Sequence, residues 1–191
     1  YYEQLEWFML GYEKHSRLHD FVRELNHLYK KESSMYACDR SWDGFTWIDA
    51  NNAKQSIMIF ARTDPSSSYQ ITLEEPIPET EDAWDAKSDK KKSSVKKAVK
   101  PKTKVVERTV HSETCIVVMN FGHMAYGDYR IGVPEPGTYV EILNSDDERW
   151  GGSGCVNPTP LTTEFVPYHG HPYSLVAHVP PIGGAILKRM K

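Results

Sequence analysis

The side chains able to do chemistry come in small groups. Carboxylates cluster at Glu74-Glu75, Glu81-Asp82 and Asp146-Asp147-Glu148. A glycosyl or acyl transfer needs two such groups facing each other across a substrate. Neighbouring acids on polar loop segments face water instead. His15 and His19 stand four apart, a spacing that puts both on one helix face and suits a metal, but no third ligand accompanies them. Ser153 lies in Gly151-Gly152-Ser153-Gly154-Cys155, which lacks the second flanking glycine of a hydrolase nucleophile elbow. Cys38, Cys115 and Cys155 form no C-x-x-C pair, and their odd number argues against a disulfide framework. Cys115, within Cys115-Ile116-Val117-Val118-Met119, reads as a small buried hydrophobe. These residues give no catalytic constellation, no metal site and no cofactor site. What remains is flat aromatic surface, which can pack on a sugar while polar neighbours bond its hydroxyls. Trp150, beside Gly151-Gly152, and Trp42, just ahead of a strand, are the candidate substrate-binding residues; Trp47 alternates with Phe45 and is expected in the core.

The elements that must position these residues change texture along the chain. Residues 1–12 read as an exposed lead-in followed by a buried turn around Trp7-Phe8-Met9-Leu10. Over residues 16–31, Leu18, Phe21, Val22, Leu25, Leu28 and Tyr29 recur at offsets of three and four, one apolar stripe of a helix. Ser16 is its expected N-cap, and Lys30-Lys31 suits its C-terminal dipole. After about residue 36 short strands take over: 44–49, 56–62, 115–121, 129–133, 137–144, 162–166, 174–179 and 185–188. Asn51-Asn52, Asp64-Pro65, Pro134-Glu135-Pro136-Gly137 and Pro180-Pro181 punctuate them as turns. Seven or eight such strands predict a mainly β fold, an antiparallel β-sandwich preceded by a helical segment. The expected division is 1–35 helical and 36–191 all-β.

Residues 79–112 interrupt the strand pattern. Nine lysines and one acid between 87 and 104 give a local net charge of +8; against −3 for the whole chain, the rest carries −11. Low apolar content and self-repulsion predict a solvated, disordered insertion in a hairpin, which costs little loop-closure entropy. An electrostatic tether for anionic partners is the less favoured reading of the same segment. An acidic remainder is a poor match to nucleic acid or an anionic membrane, and the apolar runs fall far short of the roughly 20 residues a membrane helix needs. The expected location is cytoplasmic.

Five blocks in order resemble the C-terminal end of bacterial glycogen branching enzymes, members of the α-amylase-type glycoside hydrolase superfamily. They are Trp7-Phe8-Met9-Leu10 with His15 and Leu18 to Tyr29; Asp43 to Asp49 with Ser56 to Arg62; Val118 to Phe121 with Asp128 to Pro134; Gly137 to Asp146 with Trp150 to Ser153; and His169-Gly170, Ser174-Leu175, Pro180-Pro181 and Leu187-Lys188. The lysine-rich stretch departs from the family's short hairpin connection. The resemblance implies that 1–35 is the helical end of a catalytic barrel and 36–191 the family's C-terminal domain. It implies a parent that transfers an α-1,4-glucan segment to a C6 hydroxyl, with α-glucan (glycogen, amylose) and its own barrel as partners. A (β/α)₈ barrel takes about 250 residues, more than this chain has, so the nucleophile and acid/base are expected elsewhere and this chain alone is expected to be inactive. Two competing classes are a stand-alone glucan-binding module and a purely structural β-sandwich. The helix stripe around Leu18, Phe21, Val22 and Leu25 is expected to pack on the barrel, or else to leave an apolar patch that drives association.

Overall fold

The computed structural model describes residues 6–77 and 103–191. Glu81-Asp82 and most of the lysine run lie outside them. Contacts divide the chain into two units, residues 1–69 with 110–191, and residues 70–109. Two helices, α1 (Glu13–Lys31) and α2 (Ser33–Tyr36), precede ten strands: β1 (Phe45–Asn52), β2 (Ile57–Thr63), β3 (Ser68–Pro76), β4 (Thr103–His111), β5 (Thr114–Asn120), β6 (Tyr126–Val133), β7 (Thr138–Asn144), β8 (Leu161–Thr162), β9 (Tyr173–Val179) and β10 (Gly183–Arg189).

The larger unit is built on a six-stranded sheet in the order β1-β2-β5-β10-β7-β8, with β6-β9 as a separate pair. Every registered pairing is antiparallel. The antiparallel β architecture expected from the strand pattern is therefore the one present. Alternation along β2 sends Ile57, Ile59 and Ala61 to one face, and register aligns Ile59 with Val118 and Ala61 with Ile116. Ile116 in turn lies opposite Leu187. These residues, with Ile131, Val133, Leu175 and Val179 of the strand pair, are fully buried and form the core.

The other face of the six-stranded sheet carries a row that crosses three strands: Arg62, Cys115 and Lys188 are direct register partners. The chain around α2 sits on this row. Arg62 donates to the carbonyls of Ser34 (3.3 Å) and Met35 (2.9 Å). Ser34 donates its hydroxyl to the Cys115 sulfur at 3.3 Å. Lys188 pairs with Glu32, and with Glu113 at 2.9 Å. Burial pushes the Cys115 thiol up to about 11, which keeps it protonated. Burial alone would lower the Lys188 ammonium, but its two carboxylates outweigh that and hold it above its ordinary value. Further along the same face, Phe21 and Leu25 of α1 stand over Val117, Met119 and Ile186, with a groove of about 320 Å³ between them.

Several sequence expectations shift. The helix starts at Glu13, not Ser16, and Ser16 bonds back to the Glu13 carbonyl instead of capping. The Trp7–Gly11 turn forms, as one 3₁₀ turn, but Trp7, Phe8, Met9 and Leu10 are exposed, not buried. Only Leu28 of the α1 stripe is buried, at 8% exposure, whereas Leu18 stands 61% exposed. Phe21 and Leu25, on one side of the stripe, stand over the sheet, whereas Leu18, Val22 and Tyr29, on its other side, stay exposed. The Asn51-Asn52 turn moves to residues 53–56, because β1 runs through Asn52 with two register irregularities, and Asn52 then accepts from the Gln55 amide.

The smaller unit is the outer part of the β3-β4 two-stranded sheet. Gln70 donates to Thr109 at 2.8 Å, and Arg108 to Glu75 at 2.9 Å. Thr103–His111 is strand where the sequence pattern implied a solvated insertion, and β3 had no strand expectation at all. β3 alternates Tyr69, Ile71 and Leu73 with polar residues, and β4 sets Val105-Val106 and Val110 among charged and polar ones, so neither has the continuous apolar run that marks β2 and β5. The remainder of the expected insertion, residues 79–102, lies outside the described residues.

Glu32 has only 4% of its side chain exposed, so the clamp on Lys188 has a testable cost. Lys188→Met leaves that buried carboxylate only the exposed Lys31 ammonium, 3.9 Å away, and is expected to cost about 3–5 kcal/mol. The double variant Glu32→Met/Lys188→Met is expected to recover most of it. Urea denaturation midpoints of the three proteins check both outcomes.

Candidate functional site

Among the described residues the carboxylate groups turn out to hold backbone, not each other. Asp147 caps the 3₁₀ turn Glu148–Trp150 by accepting from the Arg149 amide at 2.9 Å. Asp146 accepts from the amides of Ser153 (2.9 Å) and Cys155 (3.0 Å) and from the Ser153 hydroxyl (2.6 Å). Three such donors outweigh the effect of burial and hold its carboxyl below the usual range. The reason for Gly152 is equally local: a Cβ there would lie 2.2 Å from the Asp146 carbonyl. The close approach that this glycine permits is thus to another backbone. Glu75 is joined to Arg108. His15 and His19 are exposed on α1, and no group of three or more metal-ligating side chains occurs among the described residues.

Trp150 and Trp42 meet different fates. Trp150 is half-buried. Its ring takes the edge of Phe21 at 5.8 Å and 69°, and the Arg149 guanidinium lies 4.8 Å from its centroid. Its indole N–H is buried with no hydrogen-bond partner among the described residues. Ring and N–H are therefore both turned to the protein, and the 3₁₀ turn that carries it packs against α1.

Trp42 is 79% exposed. It stands edge-on to Phe45 at 5.8 Å, and Phe45 meets Trp47 at 4.9 Å and Phe60 at 5.2 Å. Trp47, expected in the core, is 46% exposed. The register explains the difference. Trp47 pairs with Phe60 and Phe45 with Arg62, so both β1 aromatics share the outer face with Phe60 and Arg62, opposite Ile57 and Ile59. β1 is an edge strand of the sheet, and its outer face stays open. Alternation alone reports that two residues share a face; it does not report which face is covered.

Polar groups frame this aromatic ledge. Arg62 reaches from β2 to Asp39 at 2.5 Å, and the Tyr29 hydroxyl donates to the same carboxylate at 2.6 Å. The segment between α2 and β1 is thus tied to both the helix and the sheet. Asp39, Arg40 and Ser41 join Trp42, Phe45 and Arg62 around a depression of about 300 Å³. Ser41 donates to Asp43 at 3.0 Å. The arrangement offers flat apolar rings with hydroxyl, carboxylate and guanidinium groups at their edge. That suits a neutral polyol, whose ring faces carry C–H groups and whose rim carries hydroxyls. The 320 Å³ groove under α1, lined by Phe21, Leu25, Val117 and Met119, has Asn120 and Ser145 as its polar side chains, and both are bonded to backbone.

The chain was compared with known proteins. A family model described as the alpha amylase C-terminal all-beta domain matches residues 96–190. The chain is similar to a 1,4-alpha-glucan branching enzyme GlgB of Desulfitobacterium hafniense (strain Y51), 34% identical over 185 residues, covering 97% of this chain and 22% of that protein. It is similar to the proteins of the same name from Geobacillus stearothermophilus, 32% identical over 189 residues, and Bacillus cereus (strain G9842), 33% identical over 189 residues. Those matches cover 99% of this chain and 23% and 22% of the relatives. The chain thus spans less than a quarter of the length of these relatives.

The Tyr29 hydroxyl, followed by the Arg62 guanidinium, holds the Asp39 carboxyl below the usual carboxylate range. A carboxylate lowered in the fold favours the folded arrangement above its unfolded value of about 3.9 and loses that effect as pH falls through the lowered one. Emission from the tryptophans beside this segment is expected to stay constant through about pH 4 and to change only in stronger acid. In Asp39→Asn that acid transition is expected to disappear. A fluorescence pH titration checks it.

Proposed function

We propose that this chain, which belongs to the C-terminal region of the 1,4-alpha-glucan branching enzyme family, is the non-catalytic all-β end of such an enzyme and holds α-glucan on the Trp42–Phe45–Trp47 ledge. The parent reaction in this reading is transfer of an α-1,4-glucan segment to a C6 hydroxyl, forming the α-1,6 branches of glycogen in the cytoplasm. The nucleophile and acid/base belong to a catalytic barrel elsewhere in the parent polypeptide. The observation that carries the glucan role is the exposed pair Trp47, on the outer face of an edge strand, and Trp42, just ahead of that strand, with ionised and hydroxyl groups at their rim.

Residues 1–35 fit the helical end of that barrel. Trp7, Phe8, Leu18 and Val22 are exposed on the first turn and α1, and a continuous apolar face of this kind asks for a partner. The parent's own barrel is the partner proposed, because the relatives carry more than three further lengths of chain. Trp150 belongs to this reading as a support for α1 through Phe21, in place of the direct glucan contact first expected of it.

Affinity electrophoresis in gels containing amylose or glycogen tests the ledge. The unaltered chain is expected to be retarded. Trp42→Ala/Trp47→Ala is expected to lose about 2 kcal/mol or more of binding, near thirtyfold in Kd, while Trp150→Ala keeps its affinity and loses stability. Equal mobility of all proteins with and without glucan would remove the reading. Separately, the chain alone is expected to leave the iodine-stained absorbance of amylose unchanged, since branching lowers it.

A further inference from the structure

A second aromatic pair lies beside the ledge. Tyr36 closes α2 and meets Tyr29 of α1, ring centroids 6.1 Å apart at 58°. These two rings line a depression of about 510 Å³ together with Asp39, Arg40 and Ser41. The same three residues line the depression under Trp42 and Phe45. One polar segment is therefore the shared wall of two adjoining aromatic hollows. The segment is built as consecutive turns, Asp39 N–H to the Tyr36 carbonyl and Ser41 N–H to the Cys38 carbonyl, each at 3.3 Å. Six peptide steps separate Tyr36 from Trp42, which bounds their Cα separation to about 22 Å. That is within reach of a single oligosaccharide.

We infer that Tyr36 is a second sugar-stacking position and that the surface from Tyr36 across Arg40 and Ser41 to Trp42 is one continuous track for a linear α-1,4-glucan of several units. The inference rests on the ledge reading above and extends it. Tyr36 and Tyr29 are about equally exposed, at 44% and 46%; Tyr36 is the stacking ring because the Tyr29 hydroxyl is committed to Asp39. Arg40 and Ser41 are exposed between the two platforms, placed to bond hydroxyls of the units that bridge them. Such a track makes affinity grow with chain length: a short ligand fills the tryptophan ledge alone, and a longer one adds the contact at Tyr36.

Titration calorimetry with maltotriose and with maltoheptaose tests this on the whole chain. The unaltered protein is expected to bind maltoheptaose more tightly than maltotriose. Tyr36→Ala is expected to bind maltotriose as the unaltered protein does and to weaken maltoheptaose about fivefold, while Tyr36→Phe, which keeps the ring, restores it. Trp42→Ala is expected to weaken both ligands. Maltoheptaose affinity unchanged in Tyr36→Ala, with Trp42→Ala still impaired, would overturn the track and leave the ledge standing. No binding of either sugar by the unaltered chain would overturn both.

Discussion

The row Arg62–Cys115–Lys188 is what makes the rest of the larger unit possible. A β-sheet has two faces, and the inner one here is closed by aliphatic packing. The outer one is closed only where α1 and α2 lie, and polar groups attach that cover at one end of the sheet. Lys188 neutralises Glu32 in a nearly closed position, and Arg62 takes two carbonyls at the end of the helical segment. Apolar contact alone has no preferred register. The ion pairs and carbonyl bonds fix where along the sheet the helical layer sits, and Phe21 and Leu25 then reach Val117 and Met119 beyond them.

Because this cover ends before β1, the outer face of the edge strand stays open. The aromatic ledge is a consequence of that shortfall. The same Arg62 that seats α2 also holds Asp39, and Asp39 holds Tyr29. The helix anchor and the shape of the candidate glucan surface therefore share one cation. A change in how α1 is held would be felt at the ledge through this single carboxylate, with no long path between them.

Trp42 and Trp150 show how little residue type alone decides. Both lie in polar, turn-rich surroundings and both are next to residues that favour loops by composition. Trp150 is gripped on two sides, by an aromatic edge and a guanidinium, in a loop whose Asp146 and Asp147 are spent on backbone amides. Trp42 has one aromatic neighbour and stands in solvent. Nothing in the spacing of glycines around Trp150 distinguishes a loop that approaches sugar from one that folds tightly onto itself.

Alternation, turn residues and apolar runs sufficed for the β class, for most strands of the larger unit and for the buried state of Cys115, because those properties depend on local period and composition. The family blocks were legible for the same reason: they are strings of local choices. β3 and β4 escaped because neither has a continuous apolar run and β4 adjoins the lysine-rich stretch, although β3 alternates Tyr69, Ile71 and Leu73 with polar residues. The exposure of Trp47, the split of the α1 stripe between a covered and an open side, and the hold of Arg62 on Asp39 in the polar turn between Tyr36 and Trp42 were decided by tertiary structure alone. Each depends on which strand forms the sheet edge and how far the helical layer reaches, and those are relations between distant segments that no window of sequence contains.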